Sequence, residues 1–113
     1  MVIIDHNDIV FPKKVIIGPM TYNVFTDSKS DGGSFDSLEC KLTIGTRSLK
    51  KDPTYVWSII NHEIMEIVFT THRVRYDDPS VEGDYKFFMT HKEFENCISE
   101  FSKVIVQFLK LKS

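Results

Sequence analysis

The most informative helical pattern in this chain is DPTYVWSIINHEIMEIVFTT, residues 52–71. Asp52 is a good N-cap residue, and Pro53 at the first helical position loses only a donor that a helix start leaves unpaired anyway. Side chains spaced four, three, four and three residues apart form one stripe on this helix: Tyr55, Ile59, His62, Glu66 and Phe69. We therefore predict a helix that begins at Pro53 and carries His62 and Glu66 on its inward face.

The centre of this helix, His62-Glu63-Ile64-Met65-Glu66, has the composition of a metal site. Residues four apart lie on the same face of a helix, so His62 and Glu66 can bind one ion. Glu63 then lies beside whatever the ion holds. The zinc-protease motif H-E-x-x-H works in this way, with its glutamate as general base. Here Glu66 replaces the second histidine, and a carboxylate is also a competent zinc ligand.

A second helix is predicted near the C-terminus. Residues 90–93 have the form of a capping box, in which Thr90 caps the helix and Glu93 reaches back to it. The helix is expected to extend from about His91 to residue 111. Its predicted apolar stripe consists of Phe94, Ile98, Phe101, Ile105 and Phe108. His91 lies on the inward face of this helix, and Glu95, four residues later, borders that face.

If the two helices pack together, His91 can join His62 and Glu66 as a third metal ligand. Three protein ligands with water in the fourth position is the arrangement of a catalytic zinc ion. Glu95 is then an alternative ligand, or a residue that orients His91.

The first part of the chain is predicted to form strands. Residues 14–18 and 20–26 are rich in β-branched and aromatic side chains, whereas residues 28–37 have the composition of a loop or hairpin tip. In residues 40–45 polar and apolar side chains alternate, and Cys40, Leu42 and Ile44 share one face. We therefore predict a single α+β domain spanning residues 1–113, with a small antiparallel sheet packed against two long helices.

Composition restricts the class of protein. The 113 residues are 42% hydrophobic and 27% charged, as in an ordinary globular domain. Fourteen basic and sixteen acidic side chains give a net charge of -2, which offers no general attraction for nucleic acid. No apolar run approaches the roughly 20 residues needed to cross a membrane, and no signal peptide is apparent. We therefore expect a cytoplasmic protein that binds neither nucleic acid nor membrane.

The same residues have simpler interpretations. A chain of this composition matches H-E-x-x-E by chance with a probability of roughly 2%, which leaves an interpretation without metal open. His62 can be a packed core histidine, Glu66 can pair with His91 across the helices, and Glu63 can be a solvated helix residue.

The order of these elements resembles that of the small zincin-like proteins of bacteriophages and prophages, a minimal metallopeptidase-like group. The similarity covers an N-terminal hairpin at residues 14–24, a strand at residues 40–44, the helix motif at residues 61–66 and a terminal helix. Only the helix motif is specific. The resemblance implies a zincin-like fold in which His62 is the first ligand, Glu63 the base and Glu66 the substitute for the second histidine.

The resemblance also implies a function. It favours a metal-dependent hydrolase, most simply a zinc peptidase that acts on peptides or proteins in a bacterial host cell. The strand containing Cys40, Leu42 and Ile44 would lie along the cleft and bind the substrate backbone. A carboxylate ligand weakens the Lewis acid and can shift the preferred metal toward manganese or iron.

Two alternatives remain open at this point. One is a degenerate zincin fold that serves as a metal-binding or protein-interaction module, and the other is a phage structural or regulatory protein without metal. The phenylalanine-rich last helix can also offer an apolar strip to a second copy of the chain.

Overall fold

The computed structural model describes residues 4–77 and 85–110. In this part of the chain a four-stranded sheet and a two-stranded hairpin pack with two helices, which confirms an α+β fold. The elements in chain order are β1 Lys14–Ile17, β2 Met20–Asp27, β3 Gly33–Asp36, β4 Lys41–Gly45, α1 Pro53–Thr71, β5 Arg75–Asp77, β6 Tyr85–Phe87 and α2 His91–Ile105. Short 3-10 helices span His6–Asp8 and Val106–Phe108. That residues 1–113 form a single domain stays a prediction.

The four-stranded sheet is mixed, so the prediction of an antiparallel sheet was wrong. The strand order is β1-β2-β4-β3. β1 pairs with β2 and β3 with β4 in antiparallel fashion, whereas β2 and β4 are parallel. The difference arises from β3, which lies within the segment predicted as a loop because it is rich in glycine, serine and aspartate. β3 runs antiparallel to β2 at the outer edge of the sheet. The chain then reverses again into β4, which lies between β2 and β3 and is therefore parallel to β2.

Helix α1 begins where the sequence predicts, but it buries a different face. The Asp52 side chain accepts a hydrogen bond from the Tyr55 backbone N–H at 3.2 Å, as an N-cap does. The buried residues are Val56, Ile60, Glu63, Ile64, Ile67 and Val68, and four of these six lie one position after a member of the predicted stripe. One position corresponds to a rotation of roughly 100° about the helix axis. This rotation buries an almost purely aliphatic stripe and leaves His62 outside, so a buried imidazole does not have to be desolvated.

The capping box of α2 is confirmed, with the Thr90 hydroxyl and the Glu93 carboxylate each bonded to the other residue's backbone N–H. The α-helix ends at Ile105, before the predicted residue 111, which lies outside the described residues. Its predicted stripe is only partly buried: Phe108 is buried, whereas Phe94 and Ile98 are exposed. Cys97 and Val104 form the buried face instead.

The two edges of the four-stranded sheet have different neighbours. At the β1 edge, the Ile16 N–H donates to Gln107 Oε1 at 3.1 Å, and Gln107 Nε2 donates to the Ile16 carbonyl at 3.0 Å. The β3 edge lies against α1. A Cβ atom added at Gly33 would come within 2.7 Å of Ile59 Cγ2 and 2.9 Å of Glu63 Cγ. The absence of a side chain at Gly33 therefore allows β3 to approach Glu63.

Replacement of Gly33 by alanine should test this contact. The added methyl group must displace Ile59 and Glu63, and overpacking of this kind typically costs about 1–3 kcal/mol. We expect a lower free energy of unfolding in urea. Gly32→Ala is a matched control, because its nearest neighbour would be Ser30 Oγ at 3.8 Å. Equal stability of the two variants would contradict the close approach of β3 to α1.

Candidate metal centre

Three side chains from consecutive turns of α1 converge at one point. His62, Glu63 and Glu66 each place a ligand atom within 4.8 Å of the others. His62 Nε2 lies 2.9 Å from Glu66 Oε2 and 3.9 Å from Glu63 Oε2. The helical spacing dictates this arrangement, since residues three and four apart are surface neighbours on a helix. The group therefore combines one imidazole and two carboxylates, a donor set suited to a divalent metal ion.

The three residues differ in their access to solvent. The His62 side chain is 68% exposed, whereas those of Glu63 and Glu66 are 8% and 20% exposed. His62 is therefore not on the inward face that the sequence predicted. Glu63 occupies that face instead, at the border between the core and the surface. If an ion were bound here, water would have access to it from the side on which His62 lies.

The environment of Glu63 alters its acidity. Burial raises the pKa of Glu63, His62 opposes this effect, Glu66 adds to it, and Arg75 also opposes it. Burial is the largest of these causes because a charged carboxylate loses hydration when it is enclosed. A glutamate with a raised pKa accepts protons more readily near neutral pH, as a general base must.

Arg75, in β5, is a member of this site that the sequence did not indicate. Its Nη2 lies 3.6 Å from Glu66 Oε1, so the two oxygens of Glu66 face different partners, Arg75 and His62. The Arg75 guanidinium carbon also lies 3.7 Å from the centre of the Tyr85 ring and 5.5 Å from that of Phe35. These contacts hold a positive charge beside two carboxylates. No spacing in the sequence connects Arg75 with α1, because the contact depends on how the chain turns back after the helix.

The group opens into a groove along β3. This cavity has a volume of about 540 Å³. Residues 33–38 line it on the side of β3, and His62, Glu63, Glu66, Arg75 and Tyr85 complete it. The edge strand and the three converging side chains therefore share one solvent-accessible space.

The structure does not bring His91 or Glu95 to this group. His91 Nδ1 lies 3.0 Å from Glu95 Oε1, and their side chains are 83% and 62% exposed. Within residues 4–77 and 85–110, the converging ligand group contains His62, Glu63 and Glu66 alone. His91 and Glu95 instead form a surface pair at the first turns of α2.

The predicted substrate strand is also displaced. Cys40 precedes β4 and has a positive φ of 53°, so it belongs to a turn. Leu42 and Ile44 are fully buried in the core. Because β4 lies between β2 and β3, its backbone is paired on both sides and cannot bind an extended substrate. The strand beside the candidate centre with an outer edge is β3.

No protein-family model, curated protein or solved structure matches this chain. The resemblance to zincin-like proteins therefore stays a prediction, and of its features the described residues show a possible metal-binding group of His62, Glu63 and Glu66 on α1. Among the helices in the described residues, none is long and apolar enough to cross a membrane.

The raised pKa of Glu63 predicts how stability depends on pH. A carboxyl group whose pKa is raised by folding stabilises the protein below its unfolded-state pKa, and this contribution is lost as pH rises through the folded-state pKa. Glu63→Gln removes the buried charge. In the presence of a chelator, we expect this variant to gain free energy of unfolding relative to wild type as pH rises above about 4.3, the ordinary pKa of a glutamate.

Urea denaturation at several pH values measures this difference. Glu95→Gln, in the exposed pair with His91, is the matched control and should show little change. A Glu63→Gln variant whose stability runs parallel to that of wild type across the pH range would show that burial does not penalise the carboxylate.

Proposed function

We propose that this protein is a metal-dependent peptidase that binds one divalent ion, zinc in the first place, through His62 and Glu66. The observation that carries the proposal is the convergence of an imidazole and two carboxylates on α1 at the groove beside β3. Glu63 acts as general base.

The spacing of the donor atoms fits such an ion. Two ligands of a tetrahedral zinc ion, each bonded at about 2.0–2.2 Å, lie roughly 3.3 Å apart. His62 Nε2 and Glu66 Oε2 are 2.9 Å apart, so the two atoms need to move only slightly apart to bind the ion. When bound, zinc supplies the Lewis acidity that makes hydrolysis feasible at neutral pH. Manganese and iron are alternatives, because carboxylate oxygen suits harder ions than thiolate does.

The other side chains of the groove have roles of their own. Glu63, with its raised pKa, takes up the proton of the attacking water at a carboxylate oxygen. Arg75 offsets the negative charge that Glu66 brings in place of a neutral histidine. It also holds Glu66 from the side away from His62, so that one oxygen remains directed toward the donor set.

A polypeptide substrate is favoured by the position of β3. An extended peptide that adds to a sheet edge gains main-chain hydrogen bonds along its length. β3 is the terminal strand of the sheet in the described part of the chain, and its residues line the groove with His62, Glu63 and Glu66. A peptide bound there would pass directly by the candidate centre.

The second candidate function is metal binding without hydrolysis. Catalytic zinc sites usually have three protein ligands, and Glu63 Oε2 is 3.9 Å from His62 Nε2, close enough to become the third after a small side-chain movement. The carboxylate of Glu63 would then coordinate the metal ion and could not act as a general base.

Metal content tests the site itself. Protein purified without a histidine tag and dialysed after exposure to zinc should retain about one ion per chain. His62→Ala and Glu66→Ala should each weaken zinc affinity by at least about tenfold, because each removes a direct ligand. His91→Ala is the matched control, since His91 forms a His-x-x-x-Glu pair of the same spacing with Glu95 on α2.

Zinc stoichiometry by elemental analysis and zinc affinity by competition with a chromophoric chelator provide the measurements. Wild-type protein that retains no zinc, or a His91→Ala loss equal to that of His62→Ala, would refute the assignment. His62 is largely exposed, so its replacement should leave the fold intact.

Glu63→Gln distinguishes the two candidate functions. If Glu63 is the general base, zinc affinity should persist while peptide hydrolysis falls by about 10²- to 10⁴-fold. If Glu63 is a third ligand, zinc affinity should fall with the substitution. Hydrolysis of a denatured protein substrate, followed by mass spectrometry, gives the activity. A Glu63→Gln variant with full activity would exclude Glu63 as the base.

A further inference from the structure

A second cavity adjoins the candidate centre on the other side of His62 and Glu66. Its volume is about 680 Å³, within the range typical of ligand pockets, about 300–1,000 Å³. In addition to those two residues it is lined by Ser58, Asn61, Met65, Phe69, Tyr85, Phe87 and Phe101. We refer to these lining residues as the aromatic pocket.

The interior of the aromatic pocket is apolar. Phe69 and Phe87 contact each other with ring centres 4.8 Å apart, and the half-buried Met65 and Phe101 extend the same surface. Such side chains contribute favourable free energy by burying apolar area rather than by directed bonds. Apart from Glu66, no side chain that lines the pocket carries a permanent charge.

Two polar residues of the pocket, Ser58 and Asn61, have bonds within α1. Ser58 Oγ donates to the Tyr55 carbonyl at 2.6 Å, and Asn61 Nδ2 donates to the Trp57 carbonyl at 2.7 Å. Both donors are thus committed to the helix's own backbone. A polar group that contacts Met65, Phe69, Phe87 and Phe101 would lose its hydration there without a hydrogen-bond partner, which is costly.

The groove along β3 has the opposite character. It is lined by Ser34, Asp36 and Ser37 together with Glu63 and Arg75. His62, Glu66 and Tyr85 line both spaces. A polypeptide that lies with its backbone in the groove can therefore place one side chain past His62 into the aromatic pocket.

On this basis, and resting on the proposed peptidase function, we infer that the substrates are polypeptides with a large apolar residue, such as phenylalanine, leucine or methionine, next to the bond that is cleaved. The aromatic pocket receives that side chain, and the donor set of His62 and Glu66 lies at its mouth. Small or acidic residues at this position are disfavoured, because they leave the pocket unfilled or lose hydration without a partner.

Binding of short peptides tests this specificity without requiring hydrolysis. The probes are fluorescein-labelled peptides Gly-Ser-Gly-X-Gly-Ser-Gly with phenylalanine, leucine, serine or aspartate as X. Fluorescence polarisation with zinc-loaded wild-type protein gives the affinities, and mass spectrometry of the same mixtures reports cleavage. We expect the phenylalanine and leucine peptides to bind at least about tenfold more tightly than the serine and aspartate peptides.

A variant that fills the pocket provides the structural test. Ser58→Trp places an indole at an exposed helix position that lines the pocket, and it should abolish the preference for apolar X while zinc content stays unchanged. Thr54→Trp is the matched control, because Thr54 is exposed one turn earlier on α1 and does not line the pocket. It should retain the wild-type preference.

The outcomes separate the specificity from the proposed function. Equal binding of all four peptides, or an unchanged preference in Ser58→Trp, would overturn the role of the aromatic pocket. A clear preference for apolar X with no cleavage of any peptide would support the pocket and refute the peptidase. Cleavage that is independent of X would refute the pocket and leave the peptidase standing.

Discussion

The candidate site depends on the close packing of β3 against α1 at Gly33. With no side chain at this position, the backbone of β3 lies against Ile59 and Glu63. The Glu63 side chain is buried, and this burial is the largest cause that raises its pKa. The packing at Gly33 also brings the outer strand of the sheet alongside His62, Glu63 and Glu66 of α1, with which it lines one groove.

Local chemistry accounts for what the sequence could predict. The Asp52-Pro53 start of α1 and the capping box of Thr90 and Glu93 depend on neighbouring residues, and both are present. The prediction of which face of α1 is buried was wrong, because two neighbouring stripes of side chains have the same helical period. Apart from Glu63, the stripe with Val56, Ile60 and Ile64 is aliphatic, whereas the predicted stripe contains both His62 and Glu66 and would require more desolvation of polar groups. β3 was missed because its composition is that of a turn.

In the candidate site, too, contacts between neighbouring residues were predictable from the sequence, whereas contacts between distant residues were not. The pairing of His62 with Glu66 follows from helix geometry and was predictable from spacing. The place of Arg75 depends on the chain reversal after α1, and that of His91 on the packing of two helices. Neither is determined by spacing along the chain. A second His-x-x-x-Glu pair at His91 therefore looked equivalent in the sequence, yet it lies on the surface of α2 with no converging third residue among those described.

The two edges of the sheet differ in whether their backbone can pair with an added peptide strand. At β1, the side-chain amide of Gln107 bonds to both backbone groups of Ile16 and so takes the place that an added strand would occupy. At β3, the corresponding edge adjoins the groove with His62 and Glu63. An extended polypeptide that pairs with this sheet must displace Gln107 at one edge, whereas at the other it meets the candidate metal ligands. The proposed peptide substrate is therefore expected at the β3 edge, because Gln107 already occupies the backbone groups of Ile16 at the β1 edge.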